Sequence, residues 1–393
     1  MNNKFMTLIL FLSILLIGSD QYAFAVSGLS IRLVQFLWII FTLLMFFSKK
    51  ITISKKQFIL FLLFLLAHVV SLSFSKDAKR SLGIIFWCFY NFLFITLPVM
   101  SYSRINPRKL NKILEIGFEI QGVMIIITFI IGLFGVEVPF LYTNFYMKIP
   151  RPALWFYEPT FLATFMLIYF AHSCYFYFQE FKSKYLYKAL RSFFYVLFTT
   201  SLTGILGLFF TIGVIVFFSK SISRNKKVLY AIIIILFIAA IGFFIKFRYP
   251  ALYTVLFGRL LENGFQGAGG GRVTGMHQTI SIIKRNFWIG VGPGAYVTLY
   301  KYPPTNAILQ LFVSVGVFGF FFSIIWFLYP IMVRSKYNKY KDLFYSYRFS
   351  YLVFFVILQA NTNYMRLYHW MLIGIVLGLS TCHKSELSDE NCD

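Results

Sequence analysis

Apolar runs separated by short polar turns recur along the whole chain. Helices are predicted at Phe5–Gly18, Ser30–Phe47, Gln57–Phe74, Leu82–Met100, Ile113–Phe134 and Thr160–Phe178. Further helices are predicted at Leu190–Ser201, Gly204–Phe218, Val228–Ile245, Asn306–Tyr329, Ser350–Gln359 (extending to about Asn361) and Leu367–Thr381. The pattern predicts an all-α polytopic membrane protein with about twelve spans in one integral membrane domain, residues 1–393. Leu190 to Phe218 reads as a hairpin of two short spans. Thr199-Thr200-Ser201-Leu202-Thr203-Gly204 forms the turn, whose hydroxyls and glycine satisfy freed backbone groups at membrane depth. The N-terminus imitates a cleavable signal peptide, with Lys4, an apolar run and Ala23-Phe24-Ala25. It is read as the first span, because the topology then closes consistently.

Composition agrees with this class. Of the 393 residues, 59% are hydrophobic and 13% charged, where a soluble domain carries about 25% charged residues. The net charge of +24 follows mainly from lysine and arginine in every second turn, which places those turns and both termini in the cytoplasm. The basic residues are scattered over short turns, which excludes a nucleic-acid groove. The four cysteines and five histidines are dispersed, so neither a disulfide framework nor a metal cluster is expected. No cofactor is expected. A transporter built from inverted repeats would show paired broken helices, and no internal repeat is visible.

Two non-basic-side loops then face outward, a smaller one over 135–159 and a large one over 246–303. Against the usual bias, they contain Arg151, Arg248, Arg259, Arg272 and Arg285 among other cations, with few acids opposite. An anionic ligand suits this excess, because the arginine fork makes two parallel charge-assisted bonds to a phosphate. Snorkelling to lipid headgroups is the alternative for any one of them. Val273, Met276, Ile280, Ile283 and Phe287 fall at helical spacing. They predict an amphipathic helix over about 272–287, lying on the membrane or capping a cavity, with Arg272 and glycines at its start. Glu158 precedes Pro159 at the mouth of a span, as an acid/base group or as a favourable helix-start charge. Trp288 and nearby tyrosines suit either sugar stacking or an interfacial belt. Asn306 and Gln310 share a helix face and bind either hydroxyls or a neighbouring helix. His277 is a second titratable group in the large loop.

The order Arg151…Glu158-Pro159, then the Thr-Gly break, Gly271-Arg272, Trp288-Ile289-Gly290-Val291-Gly292-Pro293-Gly294, Asn306-x-x-x-Gln310 and Gly316-x-x-Gly319 resembles the O-antigen polymerase and ligase superfamily, in particular the Wzy-type polysaccharide polymerases. The motifs cover roughly Arg151 to Tyr329. The resemblance implies a GT-C-like helical glycosyltransferase working without a metal on undecaprenyl-diphosphate-linked oligosaccharides, at the periplasmic side of the bacterial inner membrane. It implies essential roles for Arg272 and Arg151. A chain-length regulator and a flippase of the same pathway are the implied partners, besides the bilayer. Ligases of the superfamily tend to carry a histidine where this chain reads Pro304-Thr305-Asn306, which favours a polymerase. Glu158 is the expected base, with His277 second. Substrate contacts are expected from Arg248, Arg259, Arg285, Asn306, Gln310 and Trp288. The alternatives are a ligase and, from other classes, a flippase or transporter and a non-catalytic scaffold.

Overall fold

The computed structural model describes residues 3–26, 29–146, 148–218, 271–299, 306–335, 339–360 and 364–382, with isolated helical positions between 225 and 247. The predicted span Val228–Ile245 therefore lies largely outside the described residues. The protein is an all-α polytopic membrane protein with two small hairpins. Among the described residues, five helices are long and apolar enough to cross a membrane, and four shorter apolar helices accompany them. The chain divides into two compact units, residues 1–117 with 271–393, and residues 118–270.

In the first unit, α1 (Asn3–Leu15) leads through the hairpin β1 (Ala23–Val26) and β2 (Leu29–Arg32) into α2 (Leu33–Phe47). Helix α3 (Lys55–Leu72) starts at Ser54, whose hydroxyl accepts from the Gln57 N–H. Helices α4 (Ala78–Asn91) and α5 (Leu97–Ile105) run on through one wide turn, Phe92–Thr96. Proline explains that turn. Pro98 has no N–H to give the Phe94 carbonyl. The Thr42 hydroxyl lies 3.0 Å from that carbonyl and serves it instead. Helix α6 (Pro107–Leu133) begins in this unit.

The turns at one end of the unit meet. The Thr52 N–H donates to Ser101 Oγ at 2.9 Å, Lys50 Nζ to Asn3 Oδ1 at 3.2 Å, and Cys382 Sγ to the Arg104 carbonyl at 3.1 Å. These are the basic turns of the sequence. Apolar side chains gain little hydrophobic energy against each other in lipid, so helices associate through close packing. Phe61 stacks on Phe92 at 3.6 Å between centroids, with Trp326 and Trp370 edge-on to it. Gly374 and Gly378, one small-x-x-x-small pair, bring their helix against Thr96 and Met100 with no room for a Cβ.

The second unit contains the hairpin β3 (Tyr142–Tyr146) and β4 (Ile149–Leu154), followed by α7 (Pro159–Glu180), α8 (Ser183–Phe198) and α9 (Leu202–Phe218). The predicted break is the three-residue turn Thr199–Ser201, with Thr200 in the left-handed region at φ 49°. Its Oγ1 donates to the Pro150 carbonyl at 3.4 Å. Ser201 Oγ accepts from the Gly204 N–H at 3.4 Å. Glu119 of α6 accepts from Tyr169 and Tyr195 at 2.6 and 2.8 Å and pairs with Arg191 at 2.9 Å.

The remaining elements belong to the first unit: α10 (Gly271–Arg285), α11 (Tyr296–Leu299), α12 (Ala307–Met332), α13 (Lys341–Ile357) and α14 (Leu367–Ser380). The predicted span Asn306–Tyr329 is broken. Gly316 of α12 sits at φ 64°, ψ −173°, a conformation essentially confined to glycine. The break removes the partners of backbone groups that lipid will not hydrate. The tract after α10 supplies replacements. Val291 and Gly292 donate their N–H groups to the Val313 and Ser314 carbonyls at 2.9 and 3.0 Å. The Val317 N–H donates to the Phe287 carbonyl at 2.8 Å. Ser71 Oγ of α3 lies 2.6 Å from the Ser314 carbonyl and 2.9 Å from that of Ile289, so one proton serves both. The Lys76 N–H donates to Val291 at 3.0 Å.

Backbones this close exclude side chains. A Cβ on Gly290 would stand 2.5 Å from the Ser314 carbonyl oxygen, and one on Gly316 would stand 2.4 Å from Ile289 N. Gly290→Ala and Gly316→Ala are therefore expected to lose about 1–3 kcal/mol from backbone strain alone, with the clash adding to it. Gly213→Ala in α9, where nothing lies within 4 Å of the new methyl, is the control and gains about 1 kcal/mol of helix propensity. Thermal unfolding of the three purified variants in detergent checks this. Equal midpoints for the three would show that the tract does not hold α12.

Candidate functional site

The end of the first unit opposite the basic turns is organised by one carboxylate. Asp20 lies in the turn after α1, and the next acidic residue is Asp77. Asp20 is nearly buried and meets two arginines. Arg32 pairs with it at 3.0 Å, and Arg366 forms a second, shorter pair. Arg32 is the N-cap of α2 and Arg366 the N-cap of α14. A cation at a helix N-terminus opposes the helix dipole, so both depend on Asp20. Burial lowers the Arg32 guanidinium from its ordinary value, Asp20 opposes that shift, and Arg366 adds to it. Gln35 Oε1 accepts the Arg32 N–H at 2.7 Å and fixes the start of α2.

At the same end, the Val291–Tyr296 tract packs on Val313, with Ile282 and Ile283 of α10 laid against it. The inward face of α10 also includes Gly275 and Thr279, which are buried. Met276, Ile280 and Phe287, three members of the predicted apolar stripe, are exposed. The stripe thus faces away from the protein at those positions, as a lipid-facing stripe does, while Ile283 packs inward. Arg272 occupies the first turn of α10 and Arg285 its last, where a cation complements the dipole. Arg285 and His277 are exposed. Trp288 is exposed, with its ring stacked on Phe318 at 5.5 Å.

Asn306 is the N-cap of α12, and its Oδ1 accepts from the Leu309 N–H at 3.0 Å. Of the two uses foreseen for this amide, that bond is a third, local one. Gln310 is buried one turn further on. Gln359 of α13, which the spacing did not single out, accepts from the Ile308 N–H at 3.1 Å.

The second unit presents the other predicted pair. Arg151 lies on β4 opposite Asn144, half-buried, between the buried Pro150 and Pro152. Glu158 is the exposed N-cap of α7; its carbonyl accepts from the Phe161 and Leu162 N–H groups, and its side chain makes no capping bond. The carboxylate is thus placed at the positive end of a 22-residue helix. Arg248 and Arg259 lie outside the described residues. No group of three or more metal-binding side chains occurs among the described residues.

Residues 189–324 match the family model described as O-antigen ligase. The match supports the O-antigen polymerase/ligase superfamily. It begins in α8 and ends within α12, beyond the break at Gly316. Arg248, Arg259, Arg272, His277, Arg285, Trp288, Asn306 and Gln310 fall inside it, whereas Arg151 and Glu158 precede it. The family includes ligases and polymerases, glycosyltransferase-like enzymes that use a lipid-linked glycan in a membrane. No curated protein matches the chain.

Sequence reading missed the Asp20–Arg32–Arg366 cluster. Its signal was there: a lone acid in a turn between apolar runs, and a lone arginine just before the last helix. Removing one partner from a buried ion cluster leaves charge uncompensated, which costs on the order of 3–5 kcal/mol. Asp20→Asn is therefore expected to lower the thermal midpoint sharply, whereas Asp342→Asn, on an acid in the first turn of α13, shifts it far less. Comparable losses in the two variants would remove Asp20 from this role.

Proposed function

We propose that this protein is a polysaccharide polymerase joining undecaprenyl-diphosphate-linked repeat units of O-antigen or capsule on the periplasmic face of the inner membrane. The carrying observation is the family match over residues 189–324, which contains the Gly-Arg start of α10 and the tract that packs against the α12 break. In this reading the whole chain is one membrane enzyme, 135–159 and 246–303 are its periplasmic loops, and both termini are cytoplasmic.

The growing glycan on undecaprenyl diphosphate is the donor. A hydroxyl of the incoming repeat unit attacks the anomeric carbon. The new glycosidic carbon–oxygen bond forms as the bond to diphosphate breaks, and the hydroxyl proton passes to a base. Diphosphate leaves with its negative charge, so stabilising that charge supplies much of the rate. Arg272 and Arg151 are assigned to it. They act as bidentate forks, without a metal. The first turn of α10 adds free N–H groups and the positive end of a dipole. Glu158, exposed at the start of α7, is assigned as the base, with His277 second. Arg248, Arg259, Arg285, Gln310 and Trp288 are assigned to substrate binding; Asn306 belongs with them in holding the start of α12. A chain-length regulator and a flippase of the same pathway are the proposed partners.

A ligase is the second reading, favoured by the family model's own description. Pro304-Thr305-Asn306, with no histidine, supports the polymerase. Glycan length analysis in a deletion strain separates the two. Loss of a polymerase leaves single repeat units on the acceptor, and loss of a ligase leaves none. Complementation with Arg272→Ala is expected to abolish long polymer at unchanged protein level, since one charge-stabilising group is worth about 10²–10³ in rate. Long polymer from that variant would overturn the assignment of Arg272.

A further inference from the structure

The turn between α3 and α4 presents cations that the fold does not use. It reads Ser75-Lys76-Asp77-Ala78-Lys79-Arg80. Lys76, Lys79 and Arg80 are exposed, and none is in an ion pair among the described residues. Asp77 is the one acid of the turn, and its Oδ1 accepts the Arg80 N–H at 3.1 Å as the cap of α4. Three cations against one acid leave the turn with two net positive charges. Lys79 and Arg80 lie in the first turn of α4, where a cation opposes the helix dipole. They therefore do not serve the helix. Below Lys79, Leu82, Phe86 and Phe89 continue one face of α4 at spacings of three and four, and all three are exposed.

The turn is fixed to the Trp288–Tyr296 tract. The Lys76 N–H donates to the Val291 carbonyl at 3.0 Å. Gly292 lies against Ser75 and Ser81, whose hydroxyls are 2.7 Å apart, and Gly294 lies against Ile84 and the stem of Arg80. Burial raises the Tyr296 hydroxyl from its ordinary value, and the Arg80 charge opposes that shift. Arg80 thus stands beside the tract that follows α10, whereas Arg272 stands in the first turn of that helix. Lys284 and Arg285, exposed in the last turn of α10, lead into the same tract.

The reaction proposed above brings two polyprenyl diphosphates together. One leaves, and Arg272 and Arg151 are assigned to it. The other stays on the incoming repeat unit and needs cations of its own. A diphosphate diester carries two negative charges, which the α3–α4 turn matches, whereas phosphatidylglycerol carries one. We propose that Arg80, Lys79 and Lys76 hold the diphosphate of the incoming lipid-linked repeat unit, with its polyprenyl chain along the exposed stripe of α4. This assignment rests on the polymerase reading. Arg80 supplies a fork and the lysines supply point charges. No bond of that diphosphate breaks, so these residues bind and position the incoming unit and take no part in the chemical step.

Native mass spectrometry of the full chain with undecaprenyl diphosphate and phosphatidylglycerol tests this. The parent is expected to retain two molecules of undecaprenyl diphosphate, Arg80→Gln one, Arg272→Ala one, and the double variant none. In membranes supplied with preformed long-chain donor in excess, Arg80→Gln is expected to raise KM for the single repeat unit about tenfold, the size of one charge-assisted contact. The kcat stays near that of the parent. Arg80→Lys keeps the charge, loses the fork and falls between. Lys79→Gln, with a smaller shift in the same direction, repeats the test where Arg80→Gln fails to fold. A parent that retains a single undecaprenyl diphosphate, or an Arg80→Gln protein that retains two, would overturn the proposal. So would an Arg80→Gln protein that loses phosphatidylglycerol alone, since the turn would then be an ordinary headgroup contact. Failure of the polymerase reading shows separately, as a deletion strain with no single repeat units on the acceptor.

Discussion

Backbone hydrogen bonding without water is the constraint on which the rest of this structure depends. A bilayer offers no solvent partner for a freed N–H or carbonyl, and each buried orphan costs roughly 1–3 kcal/mol. Where a helix of this protein departs from regularity, a partner stands in. Pro98 frees the Phe94 carbonyl, and Thr42 of α2 lies within hydrogen-bond distance of it. The α8–α9 turn is served by Thr200 and Ser201. The break at Gly316 is the most demanding, and it is answered by Val291, Gly292 and Phe287 from another part of the chain. Helix α12 therefore has its present course only while the tract after α10 is in place. The reverse also holds, because that tract has few regular bonds of its own.

Electrostatics obeys the same scarcity. The chain has 13 acids against 37 lysines and arginines, so a carboxylate inside the protein is seldom used for one contact. Asp20 holds two arginines at two helix starts. Glu119 takes two tyrosine hydroxyls and Arg191. In both cases an acid joins segments distant in sequence. Glu158 differs, since it is exposed and makes no capping bond. Among these three acids it is the exposed one, which suits the role of base proposed above.

Most helices were legible because lipid imposes a simple code: long apolar runs, with basic residues in alternate turns. Most described helices start and end near those runs, and the hydroxyl-rich turn at Thr199–Ser201 appeared where expected. Helices α6, α8 and α13 begin at Pro107, Ser183 and Lys341, well before the predicted Ile113, Leu190 and Ser350, because charged residues in their first turns interrupt the apolar signal. The break in α12 was not legible. Gly316 lies in an unbroken apolar run, and composition does not distinguish a glycine packed helically from one that turns the chain. The inward face of α10 was not legible for a related reason. Periodicity finds the apolar stripe, but in a membrane protein that stripe is as well placed against lipid as against protein. The small residues Gly275 and Thr279 mark the packed face instead. The Asp20 cluster joins positions 20, 32 and 366, and one sequence does not reveal a contact over that separation.

The Trp288–Gly294 motif acquires a definite physical meaning from this. A glycine-rich tract next to arginines invites a phosphate-loop reading, with glycines letting a ligand approach the backbone. Here the glycines let another backbone approach. Gly290 faces the Ser314 carbonyl, and Gly292 and Gly294 press on Ser75 and Ile84 of the α3–α4 region. Positive φ angles at all three confirm that the chain turns there as few other residues allow. The same tract receives Ile282 and Ile283 of α10. The C-terminal half of α10 is thereby anchored to the membrane helices, and the buried Gly275 and Thr279 continue its packed face to within a turn of Arg272. A helix held along its length gives the residue at its start a fixed place in the backbone, which is what the proposed contact with diphosphate requires.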